Sequence, residues 1–299
     1  MRRFLKNILI IGAIMFSILF GIELLLLTKP NDYSYKRKYI ESHLDGIKVL
    51  FLGHSYFEVG INPAVIGDSV FNAAISGRAA GNTWDAQLAE RYVPKMKNLK
   101  VLALPFAYHH IYETKSITPE SRSNIRTYKC MNYKYLGLTS GSFSLRYWPE
   151  LLNSNLNFWA RLSTKASKVQ CDSLGFIAFP DRTENWQTEH LPDTEPTKAD
   201  LNKVLLQDYL RIATVCKENG VSFVIIATPI YDTYREIISE KWQVDAEKII
   251  SEVRKSFPEV LFYNFAFDSR FTEDYFKDAG HLNEQGAERF SEIVKEEVL

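Results

Sequence analysis

The chain has 299 residues, 46% of them hydrophobic and 24% charged, a balance that suits a globular protein and excludes a disordered or collagen-like one. Lys plus Arg and Asp plus Glu both number 36, so no net field recruits nucleic acid or a strongly charged substrate. Three cysteines, Cys130, Cys171 and Cys216, are too few and too scattered for a zinc site, and buried thiols are preferred over a single Cys130–Cys171 bridge.

Residues 8–27 read ILIIGAIMFSILFGIELLLL, twenty residues with one charge, Glu23. As a helix rising about 1.5 Å per residue, this stretch spans a hydrocarbon core of about 30 Å. Arg2, Arg3 and Lys6 precede it, so the positive-inside tendency keeps the amino terminus cytoplasmic and sends the rest of the chain across. The apolar run exceeds the roughly 7–15 residues of a cleaved signal, and no A-x-A-like site follows it. The expectation is therefore a single-pass cell-membrane protein. Residues 1–28 form the tip and anchor, 29–45 a polar stalk, and 46–299 one extracytoplasmic domain.

Within that domain, short β-branched or aromatic runs at 47–52, 69–72, 100–104, 221–228 and 260–265 predict buried strands. Helical patterns cover 198–218, closed by Asn219-Gly220, then 233–256, read as one helix or two, and 283–298, with Asn283 as its cap. Strand and helix in alternation imply parallel pairing through right-handed crossovers. The predicted fold is thus an α/β, three-layer αβα sandwich with a flavodoxin-like, mostly parallel sheet of about five strands. Residues 112–196 break the rhythm and carry Tyr128, Tyr133, Tyr135, Tyr147, Trp148, Trp159, Phe176 and Trp186. They read as an aromatic-rich insertion whose rings serve as core more than as a sugar platform.

The first strand ends in Gly53-His54-Ser55, which puts a serine at the carboxyl end of a buried strand, where open α/β sheets bind ligands. Alone, a serine there is more often a helix cap. It is not the G-x-S-x-G elbow, because Phe57 stands where that turn needs glycine. After the last strand comes Asp278-Ala279-Gly280-His281. A carboxylate three residues before a histidine on a tight turn can accept the Nδ1 proton and leave Nε2 to act on a serine. Such a pair alone is equally a surface turn, but in a parallel sheet the loops after the first and last strands open on one edge. Adjacent His109 and His110 raise the idea of a metal, against which stand two points. Side chains in an extended loop diverge, and no carboxylate or cysteine stands at ligand spacing.

Gly53-His54-Ser55 together with Asp278-x-x-His281-Leu-Asn resembles the first and last motif blocks of the SGNH or GDSL hydrolases. The phrases GHSYFEVGINPAVI, FNAAISG and YFKDAGHLNEQGAERFSEIV are similar to the envelope-polysaccharide branch of that family. The resemblance covers 47–107 and 221–299 and implies Ser55 as nucleophile, His281 as base and Asp278 as its orienting partner. It also implies an oxyanion hole built from the backbone N–H groups of Ser55 and Gly77. The family's third block, G-x-N-D, is replaced by Pro105-Phe106-Ala107-Tyr108-His109-His110, so the asparagine donor is missing: either Asn82, Tyr108, His109 or His110 supplies a substitute, or the hole has two donors and the enzyme is slow.

The implied function is hydrolysis of short acyl esters, acetate first, on envelope or exported carbohydrate through an acyl-Ser55, with no cofactor. Two alternatives stay open. One is an O-acetyltransferase served by a membrane-bound O-acyltransferase partner, and the other is an inactive scaffold that binds or assembles polysaccharide.

Overall fold

A computed structural model of the chain describes residues 1–28, 32–76, 83–112, 169–179, 182, 184–189, 191 and 201–299. The chain divides into two compact units, one made of Met1–Tyr35 and Thr118–Gln170 and the other of Lys36–Ile117 and Cys171–Leu299.

The first unit contains the long helix α1, Arg2–Thr28. Its stretch Arg2–Gly21 has a mean hydropathy of 2.1 and no buried residues, so by length and composition it can cross a membrane as an anchor or signal sequence.

In the second unit five parallel strands, β1 Val49–Phe51, β2 Val70–Asn72, β3 Val101–Phe106, β4 Ser222–Ala227 and β5 Leu261–Asn264, line up in the order β2-β1-β3-β4-β5. All four pairings are parallel, as the alternation of strand and helix requires. β4 pairs on both sides and is buried almost throughout. Its alternate residues serve opposite faces: Phe223 meets Tyr209 of α6, Lys203–Glu218, while Val224 and Ile226 join the cluster holding Phe290, Ile293 and Val294 of α9, Glu284–Glu297. Helices α5, Thr83–Tyr92, and α8, Glu240–Ser256, flank α6 on its side, and α4, Pro63–Ile66, packs with α9 on the other. The result is helices on both faces of a parallel sheet.

The helix ends follow local chemistry. Asn283 accepts from the N–H of Gly286 at the start of α9, and Asn202 does the same for Leu205 at the start of α6. The stretch 233–256 forms two helices, α7, Asp232–Ile237, and α8, separated where Ile238 turns to an extended conformation.

Three features differ from expectation. The polar segment after α1 forms a helix, α2, Asp32–Ser42, in which Lys36 and Ile40 are buried, so its second half belongs to the core and not to a stalk. β3 runs two residues past Leu104, to Phe106. A proline there is tolerated because β1 pairs with β3 only as far as Ala103, so no ladder partner waits for the missing N–H of Pro105. Finally, part of the 112–196 stretch is built onto the sheet. The carbonyl of Leu174 accepts from the N–H of Asn72 at 2.9 Å, and Phe176 is buried. Trp186 packs against the core, as expected of the insertion's aromatic residues, while Tyr128, Tyr133, Tyr135, Tyr147, Trp148 and Trp159 lie outside the described residues, as does Cys130. Cys171 and Cys216 are buried, and burial pushes the Cys216 thiol up to about 12.

Gly175 carries a φ of +90°, and a Cβ there would stand 2.0 Å from the carbonyl oxygen of Asn72. Gly175→Ala is therefore expected to destabilise the domain by at least about 1–3 kcal/mol, read as a drop in urea midpoint. An unchanged midpoint would show that this segment does not dock on β2.

Candidate active site

Ser55 begins the short helix α3, Ser55–Glu58, four residues beyond the end of β1. The chain can turn so sharply because Gly53 adopts a φ of +119°, and a Cβ at that position would stand 2.2 Å from Cδ of Pro105. The turn is held from both sides. Asp85 of α5 accepts from the N–H of Gly53 at 2.9 Å, and the Gly53 carbonyl accepts from Ile75 at 2.9 Å. Behind it, the buried Asn72 side chain donates to the carbonyls of Phe57 and Ile61 and accepts from Ala74, which ties the exit of α3 to the end of β2.

Asp278 and His281 sit on a loop closed by an antiparallel bridge between Phe276 and Leu282 and by the N–H of Lys277 donating to the His281 carbonyl. Oδ1 of Asp278 accepts from the N–H groups of Gly280 and His281 at 3.0 and 2.9 Å and from Nδ1 of His281 at 2.8 Å. That third bond places the proton on Nδ1 and leaves Nε2 with its lone pair. Nε2 lies 2.8 Å from Oγ of Ser55, across 226 residues of sequence. Both loop residues are buried, so the Asp278–His281 contact is shielded from solvent. The three residues singled out in the sequence thus meet in the order carboxylate, imidazole, hydroxyl.

The segment after β3 forms a 3-10 turn, Tyr108–His110, and not an extended loop. The rings of His109 and His110 therefore lie 4.1 Å apart instead of diverging, and His54 stands 4.8 Å from His110. Among the described residues, no group of three His, Cys, Asp or Glu is arranged to hold a metal ion. The three side chains of this turn have different surroundings. The hydroxyl of Tyr108 accepts from Asn264 at the end of β5. His110 packs on His54, and its carbonyl accepts from Asn202. His109 lies beside Tyr56, with Nδ1 2.9 Å from the hydroxyl of Tyr234 on α7. Burial first, and the nearby His281 second, lower the His109 imidazole to about 4, so it is neutral at pH 7. Gly77 and Asn82 lie outside the described residues.

Sequence reasoning missed a buried ion pair beneath the turn. Lys36 of α2 lies 3.3 Å from Glu58 and donates to the Ala74 carbonyl at 2.5 Å. The other oxygen of Glu58 accepts from both the N–H, at 2.8 Å, and the hydroxyl of Ser76. Glu58 thus links the helix that starts with Ser55 to the residue just before Gly77. Tyr56 and Tyr234 were missed as well. Their hydroxyls lie 3.4 Å apart, and burial raises the pKa of both, so both stay protonated. A charged residue in a sequence otherwise apolar around the serine, YFEVGI, is the one available signal for Glu58.

No protein-family model matches the chain and no curated protein is significantly similar to it. Solved structures similar to it include one from Streptococcus pneumonia, described as "a putative platelet activating factor", at 12% identity, covering 96% of this chain and 97% of that one, with a TM-score of 0.40. A GDSL-like lipase from Bacteroides thetaiotaomicron is similar at 13% identity over 90% of this chain and 100% of that chain, also with a TM-score of 0.40. Likeness that distant leaves the functional reading to the geometry of the site.

Lys36→Met strands the Glu58 carboxylate in the core and is expected to cost about 3–5 kcal/mol of stability. Adding Glu58→Gln should restore part of that loss, because the amide oxygen still accepts from Ser76. Denaturant midpoints of the single and double variants measure it, and equal midpoints for wild type and Lys36→Met would contradict the pairing.

Proposed function

We propose that this protein is a membrane-anchored serine hydrolase that removes short acyl groups, acetate first, from carbohydrate outside the cytoplasm. The observation that carries the hydrolase reading is the pair of 2.8 Å contacts that join Ser55 to His281 and His281 to Asp278.

In the first step Ser55 Oγ attacks the ester carbonyl carbon while His281 Nε2 takes the hydroxyl proton. The carbonyl oxygen becomes an oxyanion, for which the N–H groups of Ser55 and Gly77 and one donor from the Ala107–His110 turn are the candidate partners. As the intermediate collapses, the carbon–alkoxy bond breaks and His281 returns its proton to the departing sugar hydroxyl. Water then attacks the acyl-Ser55 with the same base, releasing the carboxylic acid and restoring the Ser55 hydroxyl. Asp278 stays ionised throughout and stabilises the imidazolium formed in each half-reaction. Its two backbone N–H donors hold the carboxylate in place for that task.

Two things support the cellular side and the substrate. The apolar helix α1 with Arg2, Arg3 and Lys6 before it is suited to an anchor with a cytoplasmic tip. The similarity of FNAAISG and YFKDAGHLNEQGAERFSEIV to the envelope-polysaccharide branch of the SGNH hydrolases supports an acylated carbohydrate.

Ser55→Ala and His281→Ala are each expected to abolish turnover of para-nitrophenyl acetate by the full-length protein in detergent. Asp278→Asn should retain a small fraction, because Asp278 only orients the imidazole and the nucleophile and base both remain in place. Wild-type turnover in Ser55→Ala would remove the nucleophile. A reporter enzyme fused after Leu299 is expected to be active only outside the cytoplasm, and activity inside would reverse the topology and the proposed substrate pool.

A further inference from the structure

We propose that Nε2–H of His109 is the third donor to the oxyanion formed at Ser55, and that the hydroxyls of Tyr56 and Tyr234 hold His109 in the tautomer that makes it one. The proposal rests on Ser55 being the nucleophile.

The chain of protons runs one way. Tyr56 donates to the hydroxyl of Tyr234 at 3.4 Å, so the single proton of Tyr234 is left for Nδ1 of His109 at 2.9 Å. An Nδ1 that accepts leaves the ring proton of a neutral imidazole on Nε2. The His109 ring is neutral because burial disfavours its charge, and a positive His281 nearby disfavours it further. Neutrality matters for the reaction as well, since a cation at His109 would oppose proton uptake by His281.

The position of the ring suits the role. Its centroid lies 5.7 Å from Tyr56 and 6.3 Å from His54, the residues on either side of Ser55. The Tyr56 ring in turn lies 5.2 Å from His281. The Tyr108 hydroxyl is held at Asn264 on β5, three strands from β1 in the sheet order, so of the three side chains on this turn it is the least suited to meet the oxyanion. Tyr56 and Tyr234 are positioning residues here: they act through His109 and need not touch the substrate. The rival account is that His109 serves only as a hydrogen-bond partner for the buried Tyr234.

Full-length protein in detergent, labelled with 15N-histidine, separates the two accounts. The sequence holds six histidines, and loss of one signal in His109→Gln assigns the residue. The probe is a para-nitrophenyl phosphonate, which leaves a tetrahedral, negatively charged adduct on Ser55. In the free enzyme His109 should carry its proton on Nε2, and adduct formation should move that N–H proton downfield. On para-nitrophenyl acetate, His109→Ala should lower kcat by about 10²-fold with KM little changed, and His109→Gln by less, because its amide N–H can still donate. Tyr234→Phe should lower kcat by about 10-fold at constant KM and shift His109 towards the Nδ1–H tautomer. Labelling of Ser55 with no change in the His109 signal, or an Nδ1–H tautomer in the wild type, overturns the proposal and leaves the hydrolase reading intact. Failure of the phosphonate to label Ser55 overturns both. The wild-type spectrum decides even if Tyr234→Phe does not fold.

Discussion

Parallel pairing of every strand sends all the carboxyl ends of the sheet to one edge, and the site exists because of that constraint. β1 lies between β2 and β3, at the point where the strand order reverses, and loops departing there diverge to open faces of the sheet. β1 is also short. It ends after three residues while its neighbour β3 continues for six, so the backbone leaves the ladder at Gly53 against the ring of Pro105. A side chain on Gly53 or a longer pairing with β3 would displace Ser55 from its contact with His281. The loop after the last strand reaches the same edge, and there the Phe276–Leu282 bridge keeps Asp278 and His281 in a closed turn.

Around that geometry the protein buries several polar and charged side chains, and each depends on its partners to be tolerable. Oδ1 of the Asp278 carboxylate accepts from two backbone N–H groups and an imidazole. Glu58 is offset by Lys36 and used at the same time to grip Ser76. His109 and the two tyrosines meet the same cost by remaining uncharged and bonding to one another. A carboxylate, Asp278, is hydrogen-bonded to His281, while the nearby His109 stays neutral. The buried Lys36–Glu58 pair contributes little net stability by itself. It joins α2 to the helix that begins with Ser55 and to Ala74 and Ser76 after β2.

Much of this was legible in the sequence because it is governed by neighbours a few residues apart. The five strands declared themselves through short β-branched runs, the break between α7 and α8 was left open, and Asn283 as a helix cap needed only its own side chain and the N–H three residues on. Ser55 at a strand end and the Asp278-x-x-His281 turn were readable for the same reason, and parallel topology then implied a shared edge. Three things were not readable. Lys36 looked like part of a polar stalk, since nothing local reveals a partner 22 residues away in the core. His109 and His110 were indistinguishable as residues. What separates them is that one meets Tyr234, 125 positions later, on a 3-10 turn whose tightness the sequence did not announce. Tyr56 and Tyr234, 178 residues apart, gave no sign of belonging together. Periodicity and turn chemistry set which elements form and where the serine, aspartate and histidine stand along them. Which buried polar groups face one another was decided by strand order and crossover packing, because a side chain's partner in the core depends on the arrangement of the whole sheet and not on the residues beside it.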